Sequence, residues 1–434
     1  MDIYHCQEAF GASDKTTTAM VNAITQWYDL YYRDTAQNGE DPCQRIAYTV
    51  VSKLVRTVFA EYNVAAESKV TQRLLAALNE VREQAVAQAL VGGECYVKPW
   101  LSENGFAFTV IPRNSILIFA RDARGEPVDV GTMERSTLGN AYYTLLERRT
   151  VDEKGYLTIE NRLYRSLNAD SLGAPVLLRS HPTYRELADC YTYEQPVGSV
   201  GLVRLKTPML NCVDGSPDGV SVYAAAVGLI RALDQNEYQL TGEFERGQSR
   251  VFVSTDLLDG KTLKDNLFIG LDEAADRVGI TLFSPQLRSQ AYMERKQEYL
   301  RNLESLIGIK RGLLCDANLD QRTATEISAS QTEHALTVMD FQNMWQLAAE
   351  KCVALCDVLS ALYGMEKTDG AVRFDWGNGV LYDEEKRWED YKQMVQLGLI
   401  APEVALGWRF GMPAETAEER TAIRQRFMPT GDFL

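Results

Sequence analysis

Two strongly helical segments separated by a short polar loop constrain this chain more than any other feature of its sequence. The first reads SPQLRSQAYMERKQEYLRNLESLIGI and breaks at Gly308, and the second runs from Thr323 to about Tyr363. The loop between them, KRGLLCDANLDQR, carries charges of both signs. At about 1.5 Å per residue the second helix would be roughly 60 Å long, beyond the usual globular length. Such a helix must pack against neighbours along its whole length, in its own chain or in a ring of copies.

Both segments carry helix start or stop signals. Ser284 before Pro285 predicts an N-cap and a first-turn proline, and Gly308 predicts the stop of the first helix. Thr323 and Glu326 form the T-x-x-E capping box that predicts the start of the second. The predicted apolar stripes are Leu287, Met293, Leu300, Leu303 and Ile307 in the first helix, and Ile327, Leu336, Met339, Met344, Leu347, Leu355, Leu359 and Leu362 in the second. The charged residues predicted to fill the other faces of the first helix are Arg288, Glu294, Arg295, Glu298, Arg301 and Glu304.

Composition excludes some classes of protein. A chain of 434 residues can bury sizeable cores and suggests two or three structural regions. No apolar run approaches the ~18 residues of a membrane span, and the N-terminus lacks the basic flank and apolar core of a signal peptide. Eight mostly scattered cysteines do not make a disulfide scaffold. We therefore expect a soluble protein kept in a cytosol-like compartment.

The net charge of -15 bears on nucleic-acid binding. A protein that grips DNA by its phosphates needs clustered Lys and Arg, and this chain has the opposite balance. Either it never contacts DNA, or it contacts DNA where tight binding would be harmful, as in a channel through which the duplex slides. Acidity that serves solubility alone is the alternative, and the charge taken by itself favours that alternative.

The periodicity along the chain predicts an α+β protein. Residues 14–91 read as three helices, and residues 94–205 read as short strands joined by turns. The strand-like stretches ECYVKPW, FAFTVI, SILIFA, AYYTLLERRT and YLTIENRLYRS favour antiparallel hairpins. The remaining predictions are a helix over 221–246, a mixed segment over 248–283 with strands RVFVS and GITLF, a strand over 372–376, and two helices that start near Asp383 and Pro413.

Four stretches follow one another in an order and spacing that resembles a known family. They are ALVGGECYVKPWLSENGFAFTVIPRNSILIFARDARGEPVDV; SVYAAAVGLIRALDQNEYQLTGEFERGQSRVFV; YLRNLESLIGI with the following loop and TATEISASQTEHAL; and VRFDWGNGVLYDEEKRWEDYKQMVQLGLIAPEVALGWRFGMPAETAEER. The chain resembles the portal proteins, or head-to-tail connectors, of tailed bacteriophages over essentially its whole length. The resemblance rests on the order of these stretches, since none of them is an invariant signature.

The resemblance implies a portal-like layout. Its parts are a mixed wing domain over 1–220, stem helices over 221–247 and 284–308, a small α/β clip over 248–283, a tunnel loop over 309–322, a long wing helix over 323–364 and a crown over 365–434. Only about 70 residues remain for the crown, so a large helical crown is not expected.

The resemblance also implies a function. Family members form a cyclic homo-oligomer, usually of twelve subunits, at one vertex of the capsid, after assembly in the host cytoplasm. The ring is the channel for genome packaging and ejection, and it binds the terminase large subunit, head-completion or adaptor proteins, and the major capsid and scaffold proteins. Double-stranded DNA passes through without sequence specificity. No cofactor, metal, membrane or catalytic centre is implied.

Site residues are carried over by position. The tunnel-loop residues expected near DNA are Lys310, Arg311, Asp316, Asn318 and Asp320, and the clip residues expected to contact partners are Asp256, Lys261, Lys264 and Asp265. Lys310 and Arg311 could touch passing phosphates. They could equally follow a helix end, where the macrodipole favours cations, and the sequence leaves both interpretations open.

Competing chemical motifs are incomplete. Gly260–Thr262 ends like a Walker box, but Thr255 stands where its first glycine belongs. Asp214–Gly219 opens like an EF-hand loop, but Ala225 replaces the bidentate glutamate, so an ordinary turn is favoured.

Cys352 and Cys356 lie one helical turn apart without an apparent third ligand, so buried apolar side chains are favoured over a metal site. The three histidines, His5, His181 and His334, are far apart in sequence. Two alternatives to the portal remain: an elongated virion or scaffold protein that conducts no DNA, and an unrecognised cytosolic enzyme.

Overall fold

The computed structural model describes residues 3–32, 43–103, 105–247, 250–254, 268–271, 280–283, 286–316, 324–368, 371–377 and 384–428. The chain divides into two compact units: unit 1 holds residues 1–58 and 64–374, and unit 2 holds residues 59–63 and 375–434. Helices and mostly antiparallel sheets are both present, so the predicted α+β class is confirmed. Among the helices in the described ranges, none has the length and apolar character that a membrane crossing requires.

The helices within the described ranges differ widely in length. They are α1 (His5–Phe10), α2 (Thr18–Tyr32), α3 (Ile46–Val58), α4 (Lys69–Gly92), α5 (Val227–Arg246), α6 (Ser289–Ile307), α7 (Ala324–Leu362), α8 (Glu384–Gln396), α9 (Pro402–Arg409) and α10 (Ala417–Phe427). The three helices predicted before residue 92 correspond to α2, α3 and α4. The short helices α1 and α9 carry too few turns for their periodicity to be visible in the sequence.

The strands within the described ranges form four sheets. They are β1 (Asn63–Ala66), β2 (Glu94–Ser102), β3 (Gly105–Pro112), β4 (Ile116–Arg121), β5 (Pro127–Leu138), β6 (Ala141–Val151), β7 (Leu157–Ser166), β8 (Ala174–Val176), β9 (Cys190–Thr192), β10 (Val203–Lys206), β11 (Arg250–Ser254), β12 (Phe268–Leu271), β13 (Ile280–Phe283) and β14 (Val372–Asp375). The sheet orders are β1-β14, β10-β2-β3, β12-β11-β13 and β4-β5-β6-β7-β8, and β9 pairs with β7.

The predicted antiparallel hairpins are confirmed, and strands that were not predicted join them, among them β5, β8, β9 and β10. β5 pairs antiparallel with both β4 and β6, although its sequence was not predicted to be a strand. Its first half buries Val130 against Ile118 and Tyr96, whereas its second half, from Met133 onwards, is largely exposed and polar. Because only half of the strand faces the core, the alternation that reveals a strand is weak over its full length.

A buried cluster of charged side chains joins the end of α4 to more distant parts of unit 1. Glu94 is fully buried, and its carboxylate accepts a hydrogen bond from Arg204 at 2.9 Å and lies 3.1 Å from Nε of Arg113. Arg113 and Arg121 both donate to Asp218, at 3.1 and 2.6 Å. Burial opposes ionisation, but Arg204 and Arg113 hold the pKa of Glu94 down at about 2. We call these five residues the ionic junction.

The backbone is tightly packed at the same place. Gly93 has a φ of +83°, and a Cβ added there would lie 2.3 Å from the carbonyl carbon of Gly219. The hydroxyl of Ser221 and the N–H of Val222 both donate to the carbonyl of Leu90, at 3.0 and 2.9 Å. The last turn of α4 therefore holds the segment that leads into α5.

α5 and α6 are antiparallel neighbours in unit 1. Lys296 pairs with Glu237 at 3.1 Å, and Arg288 pairs with Glu243 at 2.8 Å. Residue numbers rise along α5 as they fall along α6, so the two helices run in opposite directions. Between them in sequence lies the sheet of β11, which pairs in parallel with β12 and antiparallel with β13. The predicted mixed segment therefore contains the two predicted strands and, in β12, a third.

The ends of the helix pair differ partly from the prediction. Gly308 terminates α6 with a φ of 73°, as predicted. However, α6 begins at Ser289 after Arg288, which makes no side-chain cap, and Ser284 and Pro285 lie outside the described residues. Thr323 of the predicted capping box likewise lies outside them.

The predicted apolar stripes are correct in part. Leu300, Leu303 and Ile307 of α6 are buried, but Met293 is 60% exposed. In α7, Met344, Leu355 and Leu359 are buried, whereas Leu336 and Leu347 are each 58% exposed. The buried face of α7 instead follows Val338, Phe341, Trp345, Ala348 and Cys352, which recur every three or four residues. A stripe chosen from leucine, isoleucine and methionine residues thus combined two faces of this helix.

Unit 2 contains α8, α9 and α10. Trp408 stacks on Tyr391, with ring centroids 4.9 Å apart, which joins α9 to α8. The helix predicted from about Pro413 begins at Ala417, where Thr416 and Glu419 form a complete capping box.

Candidate functional site

The candidate site is the loop that leaves α6, where the sequence places Lys310 and Arg311. The helix ends at Ile307 because Gly308 takes the left-handed conformation. The N–H of Leu313 then donates to the carbonyl of Lys310 at 3.2 Å, which closes a four-residue turn. We call residues 310–313 the basic turn.

Glu304, in the last turn of α6, binds the backbone of this loop. Its side chain is fully buried. Oε1 accepts the backbone N–H groups of Gly312, Leu314 and Cys315 at 3.2, 2.6 and 3.1 Å, and Oε2 accepts the Cys315 thiol at 3.0 Å. Converging amide donors stabilise a carboxylate in the way that an anion-binding nest does. We call this arrangement the Glu304 clamp.

Further contacts fix the loop against neighbouring helices. The N–H of Asp316 donates to Oε1 of Gln297 in α6 at 2.8 Å, and the ammonium of Lys53 in α3 donates to the carbonyl of Leu313. A Cβ added to Gly308 would lie 2.6 Å from the hydroxyl of Thr337, so the start of the loop is in close contact with α7. The loop backbone is therefore tied to three helices.

The charged side chains of the loop are exposed, while its backbone N–H groups bind the buried Glu304. Lys310, Arg311 and Asp316 are all exposed. His334 of α7 is buried nearby, and its burial, followed by the charge of Lys310, lowers its pKa below the usual value. Two predicted tunnel-loop residues, Asn318 and Asp320, lie outside the described residues.

The predicted clip contacts also lie outside the described residues. This applies to Asp256, Lys261, Lys264 and Asp265, and to the Walker-like Gly260–Thr262. Their proposed contacts stay predictions.

Sequence reasoning missed the role of Glu304. The helical pattern assigned it to a charged face of α6, yet its exposed fraction is 0%. Its partners are mostly backbone N–H groups, which every residue except proline carries, so the sequence holds no side-chain partner that reveals the contact. The one available signal was a glutamate a single turn before a helix-ending glycine.

The carboxylates of Asp214–Gly219, which resembles the start of an EF-hand loop, make hydrogen bonds and ion pairs within the chain. Oδ1 of Asp214 accepts from the N–H of Ser216 and the amide of Asn211, each at 2.9 Å, and Oδ2 accepts from Thr17. Asp218 belongs to the ionic junction. These carboxylates therefore shape a turn, as the sequence favoured.

The paired cysteines of α7 are buried thiols. Cys352 and Cys356 are 1% and 0% exposed, and burial raises the pKa of Cys356 to about 12. The thiolate that a metal would need is disfavoured there. Within the described ranges, no group of three or more His, Cys, Asp and Glu residues is placed to hold a metal ion.

Comparison with known proteins bears on the whole of this arrangement. The family model of phage portal proteins of the SPP1 Gp6-like type matches residues 74–422. The chain belongs to this family of phage portal proteins. The match begins within α4 and ends within α10, so it includes the ionic junction, the α5–α6 pair and the Glu304 clamp of this portal protein. No curated protein matches the chain significantly. The family match over residues 74–422 confirms the resemblance inferred from the sequence.

Proposed function

We propose that copies of this portal protein form a closed ring at one vertex of a phage capsid, where the ring conducts DNA during packaging and ejection. The observation that carries the proposal is the family match over residues 74–422. In a cyclic homo-oligomer each copy uses the same two surfaces, one for each neighbour. The ring would also be the docking platform for the terminase large subunit, for adaptor proteins and for the capsid and scaffold proteins.

The arrangement of α5 and α6 supports the proposed stem and clip. The two helices are antiparallel, and the sheet of β11, β12 and β13 lies between them in sequence. A helical hairpin that leads out to a small sheet and back is what a stem ending in a clip requires. On this basis residues 221–247 and 284–308 form the stem, residues 248–283 the clip, residues 309–322 the tunnel loop, and residues 365–434 the crown, while the wing combines residues 1–220 and 323–364.

The exposed basic pair supports a contact between the tunnel loop and DNA. A strongly acidic chain repels phosphates on average, which keeps a passing duplex mobile. Lys310 and Arg311 would supply the few local contacts that touch the backbone, with Asp316 beside them. Asn318 and Asp320 would extend the same loop, and Asp256, Lys261, Lys264 and Asp265 would face terminase or adaptor.

The portal has no catalytic centre of its own in this proposal. ATP hydrolysis would belong to the terminase motor that docks on the ring. The burial of Cys352 and Cys356 and the internal hydrogen bonds of Asp214 support this assignment, because each group already has contacts within the fold.

Electron microscopy of the assemblies that this protein forms in phage lysates tests the ring. A ring with an axial hole is expected. An extended polymer would favour a scaffold protein, and a monomer or dimer with a deep cleft would favour an enzyme.

Charge reversal tests the tunnel loop. The double variant Lys310→Glu, Arg311→Glu should assemble normally but reduce the DNA packaged per capsid. The variant Lys154→Glu, Arg185→Glu changes the net charge equally at two exposed positions far from the loop in sequence and is the matched control. If the loop variant fails to assemble, the basic pair is structural and the assignment of the tunnel loop is wrong.

A further inference from the structure

The loop after α6 is held in a conformation that its own composition does not favour. Gly308 and Gly312 have φ angles of 73° and 91°, and glycine loses more conformational freedom on ordering than any other residue. Without a tertiary anchor, residues 309–316 would sample many conformations. Glu304 supplies that anchor, because one buried side chain binds three loop amides and one thiol.

The geometry favours a carboxylate at position 304. All four donors converge on its two oxygens at 2.6 to 3.2 Å. In Glu304→Gln the side chain keeps its size, but its carbonyl oxygen carries no full negative charge, and an NH₂ group replaces the oxygen that accepts from Gly312 and the Cys315 thiol. In Glu304→Asp the charge remains, but the side chain is one methylene shorter and cannot reach all donors at once.

We propose that Glu304 is the positioning residue for Lys310 and Arg311. Its inward-facing contacts with Gly312, Leu314 and Cys315 fix the path of the backbone, and that path directs the two basic side chains outward. This inference rests on the proposed function of the basic turn as a contact for DNA. Glu304 itself is buried and touches no DNA; it acts through the turn.

Hydrogen exchange of the intact portal tests the clamp itself. In Glu304→Gln the amides of Gly312, Leu314 and Cys315 should exchange at least roughly tenfold faster, since each loses part of a charge-assisted hydrogen bond. Glu298→Gln on the same helix is the matched control, because the Glu298 side chain is exposed and pairs with Arg301 on its own helix. Unchanged exchange of the three amides in Glu304→Gln would overturn the proposal. If Glu304→Gln does not fold, Glu304→Asp should show the same change at smaller amplitude.

Packaging measurements test whether Glu304 acts through the basic pair. Rings of Glu304→Gln should assemble but package less DNA per capsid, as should Lys310→Ala, Arg311→Ala. The triple variant Glu304→Gln, Lys310→Ala, Arg311→Ala should package as much DNA per capsid as the double variant Lys310→Ala, Arg311→Ala. A positioning residue has no further effect once the side chains that it positions are removed. A merely structural residue would lower packaging further in the triple variant, and this result would overturn the inference.

Different results would overturn the DNA contact of the basic turn and the positioning role of Glu304. Normal packaging by Lys310→Ala, Arg311→Ala would remove the proposed role of the basic turn and the positioning role with it, even if hydrogen exchange confirms the clamp. Normal packaging by Glu304→Gln, together with a packaging defect in Lys310→Ala, Arg311→Ala, would overturn the positioning role alone.

Discussion

Glu94 and Glu304 are both carboxylates without exposed surface, but different groups compensate their charges. Glu94 faces guanidinium groups of Arg204 and Arg113, and Arg204 lies 110 residues away in sequence. Glu304 instead faces backbone amides that lie within 11 residues of it. The first arrangement ties distant elements together, whereas the second gives one short loop its shape.

The comparison indicates how far the loss of each group should spread. Removing Glu94 takes away the buried carboxylate that Arg113 and Arg204 share and leaves Asp218 as the one carboxylate of the ionic junction, so the cost falls on the whole of unit 1. Removing Glu304 releases amides that water can reach once the loop opens, so the cost stays local. Four predictions test this distinction, beginning with the largest expected effect.

Glu94→Ala should lower the free energy of unfolding by about 3–5 kcal/mol, because Arg113 and Arg204 would remain buried without the carboxylate that they share. Urea titration followed by circular dichroism measures the change. Glu126→Ala is the matched control: Glu126 lies 3.6 Å from Arg204 but its side chain is 52% exposed, so the loss should stay below about 1 kcal/mol. Equal losses of stability in the two variants would show that the buried ionic junction contributes no more than an exposed ion pair.

Stability should fall in acid because of Glu94 and Glu147. Burial opposes ionisation of both, but arginines at Glu94, and Arg149 with Lys98 at Glu147, lower the folded-state pKa of each from 4.5 to about 2. A depressed folded pKa gives stability that is complete above pH 4.5 and is lost as the pH falls towards 2. The loss is on the order of 3 kcal/mol for each group.

Unfolding measured between neutral pH and this acid range checks the sign. Glu94→Gln, Glu147→Gln should be less stable at neutral pH and should lose less stability on acidification than the native chain. Equal acid sensitivity of both proteins would show that other groups dominate.

Gly93→Ala should destabilise the chain by about 2–3 kcal/mol more than Gly139→Ala. Both glycines have positive φ, +83° and +61°, so both substitutions strain the backbone. Only the Cβ at position 93 meets another backbone, since the space around Gly139 is open. Thermal unfolding of the two variants separates the steric effect from the strain, and similar losses would mean that the contact with Gly219 relaxes easily.

Cys315→Ala should have the smallest effect, below about 1 kcal/mol, because it removes only the weak thiol donor of the Glu304 clamp and leaves the three amides. Cys315→Ser restores a donor and should resemble the native chain. Hydrogen exchange of Gly312 and Leu314 in the three proteins measures the local change. A loss of global stability as large as that of Glu94→Ala would contradict the local character of the clamp.

The features that sequence predicted well depend on periodic patterns. The long helix α7 and the stop of α6 at Gly308 follow from spacing and from a residue that tolerates positive φ. β5 and α9 were not predicted, because β5 buries only half of its length and α9 has only 8 residues. The chemical details escaped for a different reason. A glutamate that will be buried against backbone amides looks the same in sequence as one on a solvated face, and only the fold distinguishes Glu304 from Glu298.

The thiol of Cys315 gives the Glu304 clamp an intrinsic reporter. Burial, followed by the hydrogen bond to Glu304, raises its pKa, so it is protonated and shielded while the loop is closed. Cys190 and Cys212 are exposed on the same chain and provide an internal reference for alkylation. The rate at which Cys315 is labelled relative to these two would therefore follow the opening of the loop in an assembled particle, without any probe being introduced.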